Sequence, residues 1–416
     1  MKFSEYVIVE KPGVFIDPLG FLKPSRALQD TLFRQFTVLS NHPAYHGALC
    51  AIWQSCDEAG VRPGANNHAF FFRQLELFWG LMNAAQGGSV INVNKYKQLL
   101  ADPMGIKRIA ADHSIFQRLA YGTLGHYSRP SMEWGLLSDS GRALVDDGHR
   151  LARAFSNRSG MEFSAEMNRW RCGEEFSLER LAELGKVFHL TASASPVERE
   201  AWRDILAKRM TREPQTRALW DAPLPLNEMA EAEKSAAAYC SYQAGLAERY
   251  GAMADRLHVV QTFERLSGAV QFVFDLNLAS LQFRGGTELQ PLSDPEDLAH
   301  AIVELATKAV SIGVADAGRL FFSLAATRRR YADVCDVIAQ HHWSHQRSKG
   351  VSPYFDATGL LIRDKVQRAE MGATLEALER APTGQARMDL LHYRSRRDWH
   401  FRRCRTYHDW AHGAAA

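Results

Sequence analysis

Residues 70–81 form the stretch that most limits how this chain can fold. Its polar positions are Arg73, Gln74 and Glu76, and the remaining side chains are phenylalanine, leucine and tryptophan around one glycine. A helix that is apolar on nearly every side is normally buried at the centre of a domain. The sequence therefore predicts a core helix here, ended by the glycine pair at 87–88.

Helical patterns also dominate the rest of the chain. Apolar residues recur at helical spacing between Leu28 and Leu39. The run from Ser195 through Pro196 to Glu198 has the order of a capping box with proline in the first turn, and Asp294-Pro295 repeats it. The fold class predicted is mainly α, a multi-part helical protein.

Two short segments depart from this helical pattern. Residues 6–9 and 14–16 are β-prone runs around the turn at 11–13, which predicts a short N-terminal β-hairpin. Residues 134–137 and 144–148 are short runs before an amphipathic stretch that includes Phe155. This order resembles the closing hairpin and last helix of a winged-helix domain. Such domains often bind DNA, and many serve only as protein-contact modules.

A length of 416 residues corresponds to two to four domains at about 100–200 residues each. Turn and breaker residues predict five segments. They are an N-terminal hairpin plus helix pair (1–64), a winged-helix-like domain (65–160), a helical connector (161–225) with a proline-rich linker at 214–225, an α-helical domain (226–390) and a basic aromatic C-terminal helix (391–416).

The positive charge is concentrated at the C-terminus. Residues 391–412 hold six arginines against two aspartates, a charge of +4, whereas the whole chain carries +3 and the other 394 residues thus sum to −1. Because the charges of the other 394 residues nearly cancel, we do not expect the whole surface of the protein to bind nucleic acid or membrane. The six arginines are Arg394, Arg396, Arg397, Arg402, Arg403 and Arg405.

Three interpretations of this tail stay open. Its arginines would neutralise the phosphates of DNA or RNA, while Trp399, Tyr407 and Trp410 stack or anchor. Alternatively, a basic amphipathic helix would dock on an acidic patch of this protein or of a partner. His400, Cys404 and His408 are also spaced to bring metal-binding groups together.

Arg328, Arg329 and Arg330 form a second basic cluster, on a long helix predicted over residues 317–342. Three neighbouring arginines cover nearly the full circumference of a helix, so part of the cluster must face a partner, an acid or a phosphate. A solvated face with internal salt bridges is the other interpretation.

The end of that predicted helix offers a candidate metal site. His341 and His345 are four residues apart, and Asp336 lies about one turn upstream, a spacing that zinc or another divalent metal accepts. A metalloprotease needs glutamate directly after the first histidine, and His342 stands there instead. Histidines near a helix C-terminus also bind the last carbonyl groups, which is the alternative without a metal.

The usual signatures of other classes are absent from the sequence. There is no GxSxG, no GxGxxG after a strand, and no complete P-loop, since Arg319 and Leu320 stand where lysine and serine or threonine are needed. No long uncharged apolar stretch and no secretory signal occur, and the six cysteines lack CxxC pairing. A soluble cytoplasmic protein without a membrane partner is expected.

These patterns favour a binding component over an enzyme. We expect a non-enzymatic, bacterial-type component of a larger complex, with protein subunits as partners and DNA or RNA contacted through the basic C-terminal helix, without a cofactor. A metal-dependent hydrolase or nuclease using the 341–345 histidines is one alternative. A pure protein–protein scaffold, with its tail on an acidic partner, is the other.

Overall fold

The computed structural model of the chain describes residues 17–36, 42–61, 67–88, 90–101, 123–282, 292–314, 319–351, 353–354, 368–395 and 399–413. The chain divides into two compact units. Unit 1 comprises residues 1–32 and 225–397, and unit 2 comprises residues 33–224 and 398–416. Each unit is therefore built from two separate stretches of sequence.

All of the regular secondary structure in the described residues of unit 1 is helical. Its helices are α1 (Leu22–Asp30), α11 (Leu226–Ala232), α12 (Ala236–Arg249), a short 3₁₀ helix (Gly251–Met253), α13 (Ala254–Gln282), α14 (Pro295–Ser311), α15 (Arg319–Ala325), α16 (Tyr331–Ser348), α17 (Arg368–Glu379) and α18 (Gly384–Arg394). Helix α13 is the centre, and α1, α12, α14, α16 and α18 pack against it.

Unit 2 is also helical, with one small strand pair. Its elements are α2 (Ala44–Glu58), α3 (His68–Ala85), α4 (Val93–Ala101), α5 (Thr123–Glu133), α6 (Asp146–Ser156), β1 (Asn157–Arg158), β2 (Met161–Glu162), α7 (Phe163–Arg171), α8 (Leu178–Phe188), α9 (Pro196–Met210), α10 (Pro214–Asp221) and α19 (Trp399–His412). The mainly α fold class is confirmed, and no helix among the described residues could cross a membrane.

The predicted core helix is α3, and it is buried as its composition requires. Helices α2, α4, α7 and α8 surround it, and Phe78 and Trp79 are shielded from solvent. The two charged residues of α3, Arg73 and Glu76, are buried as well. They pair with each other, because the Arg73 guanidinium donates a hydrogen bond to the Glu76 carboxylate at 2.6 Å. Burying a charge requires such a partner. The two charged residues of the stretch therefore pair with each other within the core.

A second buried ion pair joins β1 to α9. The Ser195 hydroxyl accepts a hydrogen bond from the Glu198 backbone N–H at 3.2 Å, as the capping pattern predicts. The Glu198 carboxylate instead accepts two hydrogen bonds from Arg158, from Nε and a terminal nitrogen, both at 2.7 Å. Both side chains are almost completely buried. This bidentate arrangement is the strongest form that an arginine–carboxylate contact takes.

The structure does not confirm two finer features of the fold prediction. The N-terminal hairpin falls on residues 1–16, outside the described residues. Within the winged-helix-like segment, a single antiparallel bridge joins Leu137 to Leu144, and the strand pair β1–β2 follows α6 instead of preceding it. Helix α6 itself packs against α2 and α9 inside unit 2.

Helix boundaries correct three further predictions. The predicted linker at 214–225 contains α10, whose Leu219 is buried. The long helix predicted over 317–342 is two helices, because α15 ends at Ala325 and α16 begins at Tyr331. The predicted C-terminal helix is likewise interrupted, because α18 ends at Arg394 with Ser395 as its C-cap, and α19 begins at Trp399.

We predict that Arg158→Met and Glu198→Gln each lower the free energy of unfolding of unit 2 by about 3–5 kcal/mol. Each change leaves the partner's polar group or charge buried without compensation. The double variant Arg158→Met/Glu198→Gln should lose less than the two single losses added together. Eight of the nine tryptophans belong to unit 2, so urea unfolding followed by tryptophan fluorescence reports on it.

Arg150→Met serves as the matched control, since Arg150 pairs with Asp204 on the exposed surface. Little change in stability is expected there, because an exposed ion pair contributes little. Strictly additive losses at positions 158 and 198 would show that the two side chains do not act as a pair.

Candidate functional site

The C-terminal helix α19 is part of the core of unit 2. It packs against α9, and the side chains of Phe401, Cys404, Tyr407 and Ala411 form its buried face. The Tyr407 ring stacks on Trp134 at 5.7 Å between centroids and meets Trp202 edge-on at 5.6 Å. Phe401, Tyr407 and Trp410 of this helix are therefore buried within unit 2.

A buried hydrogen-bonded triad fixes α19 in place. His46 of α2 contacts the Ser131 hydroxyl through Nδ1 at 2.7 Å and the Tyr407 hydroxyl through Nε2 at 2.8 Å. All three side chains are inaccessible to solvent, and burial lowers the pKa of His46 to about 3. A serine beside a histidine is also the arrangement of an activated nucleophile. Here both groups are enclosed by aromatic side chains, so the geometry supports a structural role.

The six tail arginines are not gathered on one helix. Arg394 belongs to unit 1, where its guanidinium donates to the Thr374 hydroxyl at 3.0 Å. Arg402, Arg403 and Arg405 are half-buried on α19 of unit 2. Arg405 donates to the Asp409 carboxylate at 2.8 Å and to a backbone carbonyl. Arg396 and Arg397 lie outside the described residues.

The second arginine cluster has a different environment. Arg328, Arg329 and Arg330 lie in the turn between α15 and α16, and all three side chains are exposed. Among the described residues, no carboxylate forms an ion pair with any of them. The nearby carboxylate of Glu296 accepts a hydrogen bond from the Tyr331 backbone N–H at 2.9 Å instead. These arginines therefore keep their hydrogen-bond donors available to an external anion.

The turn is preceded by an exposed aromatic side chain. Phe322 of α15 is 50% exposed, and Arg319, one helical turn before it, is also exposed. Residues three apart on a helix share a face. We call Arg319, Phe322 and the turn at 328–330 the α15–α16 basic surface, because all of these side chains are exposed and they combine cations with one aromatic ring.

The histidines near the end of α16 hold the residues before α1. His341 donates through Nε2 to the Leu19 carbonyl at 3.0 Å, and His342 donates through Nδ1 to the Pro18 carbonyl at 2.9 Å. The other nitrogen of His342 accepts from the Tyr354 backbone N–H at 3.0 Å. His342 is therefore the neutral tautomer with its proton on Nδ1. Burial lowers its pKa to about 4.

The proposed metal ligands are arranged as follows. His341 and His345 stack with their ring centroids 5.8 Å apart, and the ring of His345 lies against Gly20. A Cβ at Gly20 would come within 2.6 Å of that ring, and its φ of +78° also favours glycine. Asp336 is exposed. Within the described residues, no three histidine, cysteine or acidic side chains are grouped to hold a metal ion.

Sequence patterns did not identify several of the polar contacts described above. Neither His46 nor Ser131 lies in a recognisable motif, and they are 85 residues apart in sequence. Arg158 and Glu198 are 40 residues apart. The family models, the curated proteins and the solved structures that were compared with the chain gave no match. The roles assigned here accordingly rest on contacts within the chain.

We predict that unit 2 becomes less stable as the pH falls below 6.5, and that His46 contributes to this loss. His46 stays neutral in the folded state because its pKa is lowered to about 3. In the unfolded chain it takes up a proton below about pH 6.5. Its stabilising contribution is therefore complete above that pH and falls, by up to about 1.4 kcal/mol per pH unit, as the pH drops toward the folded pKa.

His46→Gln should reduce this pH dependence, because glutamine forms hydrogen bonds without titrating. The free energy of unfolding, measured by urea and tryptophan fluorescence at pH 7, 6, 5 and 4, checks the expectation. His258→Gln, at an exposed position of α13 in unit 1, is the control. An unchanged pH slope for His46→Gln would argue against the buried neutral imidazole.

Proposed function

We propose that this chain is a non-enzymatic binding or assembly component that contacts DNA or RNA. The observation that carries the proposal is the exposed turn of Arg328, Arg329 and Arg330, whose guanidinium groups have no ion-pair partner among the described residues. Three adjacent arginines without acids of their own favour an external polyanion, and a phosphate backbone supplies closely spaced negative charges.

The α15–α16 basic surface has the two components that nucleic-acid binding uses. Arginine side chains neutralise phosphates and release condensed counterions, which makes affinity depend on salt. An aromatic ring such as that of Phe322 stacks on an unpaired base without regard to sequence. The presence of Phe322 at half exposure favours a single-stranded segment over a closed duplex.

The proposed role of the tail arginines is secondary. Arg394 and Arg405 already donate to groups of this chain, so a phosphate would have to compete with those contacts. Arg402 and Arg403 also have interactions within the chain, and together with Arg396 and Arg397 they stay candidates for phosphate contact. The aromatic face of α19 is buried within unit 2, and we propose that its arginines add further phosphate contacts.

There are two alternatives to this proposal, a protein–protein scaffold and a metal-dependent enzyme. In the scaffold alternative, the α15–α16 basic surface meets an acidic protein partner, since carboxylates would also pair with free arginines. In the metal-dependent alternative, His341, His345 and Asp336 would hold a divalent ion such as zinc. The hydrogen bond of His341 to the Leu19 carbonyl favours a structural use of this cluster.

We predict that the triple variant Arg328→Ala/Arg329→Ala/Arg330→Ala weakens binding of single-stranded DNA and RNA about tenfold or more at low salt. Each lost arginine removes a phosphate contact and the associated counterion release. Fluorescence anisotropy with labelled oligonucleotides of unrelated sequence measures the change.

The matched control is Arg153→Ala/Arg203→Ala/Arg212→Ala, which removes the same charge from exposed positions of unit 2. Equal weakening by both triple variants would indicate a general charge effect. No binding by the unmodified chain to either nucleic acid would overturn the proposal, and binding of polyglutamate lost in the first variant alone would favour the scaffold alternative.

The metal alternative makes its own prediction. We expect that added Zn²⁺ does not raise the melting temperature of the purified chain, because the imidazole of His341 already serves a backbone carbonyl. Elemental analysis and melting curves of the unmodified chain and of His341→Gln/His345→Gln measure this. A zinc-dependent rise in melting temperature that this double variant loses would restore the metal site.

A further inference from the structure

A groove of about 310 Å³ on unit 1 is independent of the α15–α16 basic surface. It lies between α13, α14 and α18, at the lower end of the range for small-molecule sites. The lining residues are Arg265, Ala301, Glu304, Leu305, Lys308, Gln385 and Met388. They comprise two cations, one acid, one amide and three apolar side chains.

The guanidinium of Arg265 is held in place from one side. One of its terminal nitrogens donates to the Asp389 carboxylate, and Gln385 donates to the same carboxylate oxygen at 2.8 Å. Asp389 therefore fixes the orientation of two polar side chains that line the groove.

The remaining edge of that guanidinium has an unused donor. Nε of Arg265 is buried and has no hydrogen-bond partner in the described structure. A buried donor without a partner is costly, and native proteins normally satisfy it with protein, water or a ligand. Nε itself is closed to solvent, whereas the Arg265 side chain as a whole is 28% exposed, so an acceptor bound in the groove would meet the outer part of this guanidinium group.

The opposite charges of α14 also lie in this groove. Glu304 and Lys308 are both exposed and one helical turn apart, about 6 Å along the axis. Within the part of the chain that the structure describes, neither forms an ion pair with the other or with a third side chain. The groove thus presents cationic donors and, close by, a carboxylate acceptor.

The apolar lining comes from the same helices. Met388 of α18 is buried, while Leu305 and Ala301 of α14 are partly exposed on the face that carries Glu304 and Lys308. An apolar group that covers them would gain free energy in proportion to the area removed from water. The groove combines this apolar lining with both signs of charge.

We infer that this groove binds a free α-amino acid with an apolar side chain. Its carboxylate accepts hydrogen bonds from the exposed part of the Arg265 guanidinium group and from Lys308, its ammonium group pairs with Glu304, and its side chain lies on Leu305 and Ala301. A zwitterion uses both signs of charge at once, which neither a simple anion nor a simple cation does. A phosphate dianion would meet repulsion from Glu304.

Three ligands of nearly the same size separate the contribution of the carboxylate to binding from that of the ammonium group. L-Phenylalanine carries both charges, 3-phenylpropanoate lacks the ammonium group, and phenethylamine lacks the carboxylate. Isothermal titration calorimetry on the full chain, at millimolar ligand, measures each affinity, with L-leucine as a second zwitterion. We expect both amino acids to bind, and each single-charge analogue to bind at least about tenfold more weakly than L-phenylalanine.

Two conservative variants at exposed positions assign the charges without disturbing the core. Lys308→Met should weaken L-phenylalanine and 3-phenylpropanoate but not phenethylamine, and Glu304→Gln should weaken L-phenylalanine and phenethylamine but not 3-phenylpropanoate. Lys234→Met, at an exposed lysine paired with Glu231, is the control and should change nothing.

Three results would overturn the inference. They are no binding of either amino acid, equal binding of all three phenyl ligands, and affinities that neither Lys308→Met nor Glu304→Gln changes. Circular dichroism of each variant confirms that the helices are retained, so that a loss of affinity reports on the groove.

Discussion

The buried ion pair of Arg158 and Glu198 is the contact on which the arrangement of unit 2 depends most. One guanidinium group reaches three helices, because it binds Glu198 in the first turn of α9, donates to the Val187 carbonyl of α8 at 3.2 Å and lies 4.3 Å from the ring centre of Phe155 on α6. A charge removed from water must be fully compensated. The strand pair that carries Arg158 and the start of α9 consequently have little freedom to move apart.

The same requirement explains where the other polar residues of the core lie. His46 uses both ring nitrogens on Ser131 and Tyr407, so α2, α5 and α19 share one buried polar contact. In unit 1, His342 likewise uses both nitrogens on backbone groups. Because both ring nitrogens of His46 and of His342 already form hydrogen bonds within the fold, neither side chain has a free nitrogen for a ligand. The exposed turn at 328–330 and the groove beside Arg265 differ, because each keeps donors without a partner among the described residues.

The sequence predicted those structural features that depend on residues close together in the chain. The core helix over residues 70–81 and the cap at Ser195 follow from composition and spacing, and the structure contains both as α3 and the start of α9. Contacts between distant residues were not predictable, because no pattern pairs Glu198 with Arg158 or joins His341 to Leu19. The long helix predicted over 317–342 was wrong for a related reason. The chain turns at 326–330, so that Phe321 and Leu324 on one side and Val334 and Ile338 on the other reach the same core.

We propose that the turn at 328–330 contacts a polyanion, whereas the C-terminal helix α19 mainly stabilises unit 2. The most direct test is the salt dependence of oligonucleotide affinity for the unmodified chain, for the triple alanine variant at 328–330, and for Arg402→Ala/Arg405→Ala. For single strands, the slope of log affinity against log salt is about −0.7 per phosphate contact. We expect a slope that is shallower by about 2 in the triple variant and by no more than about 0.7 in the tail variant, because Arg405 already donates to Asp409. An unchanged slope in the triple variant, with a slope shallower by more than about 1 in the tail variant, would show that the tail and not the turn makes the main phosphate contacts.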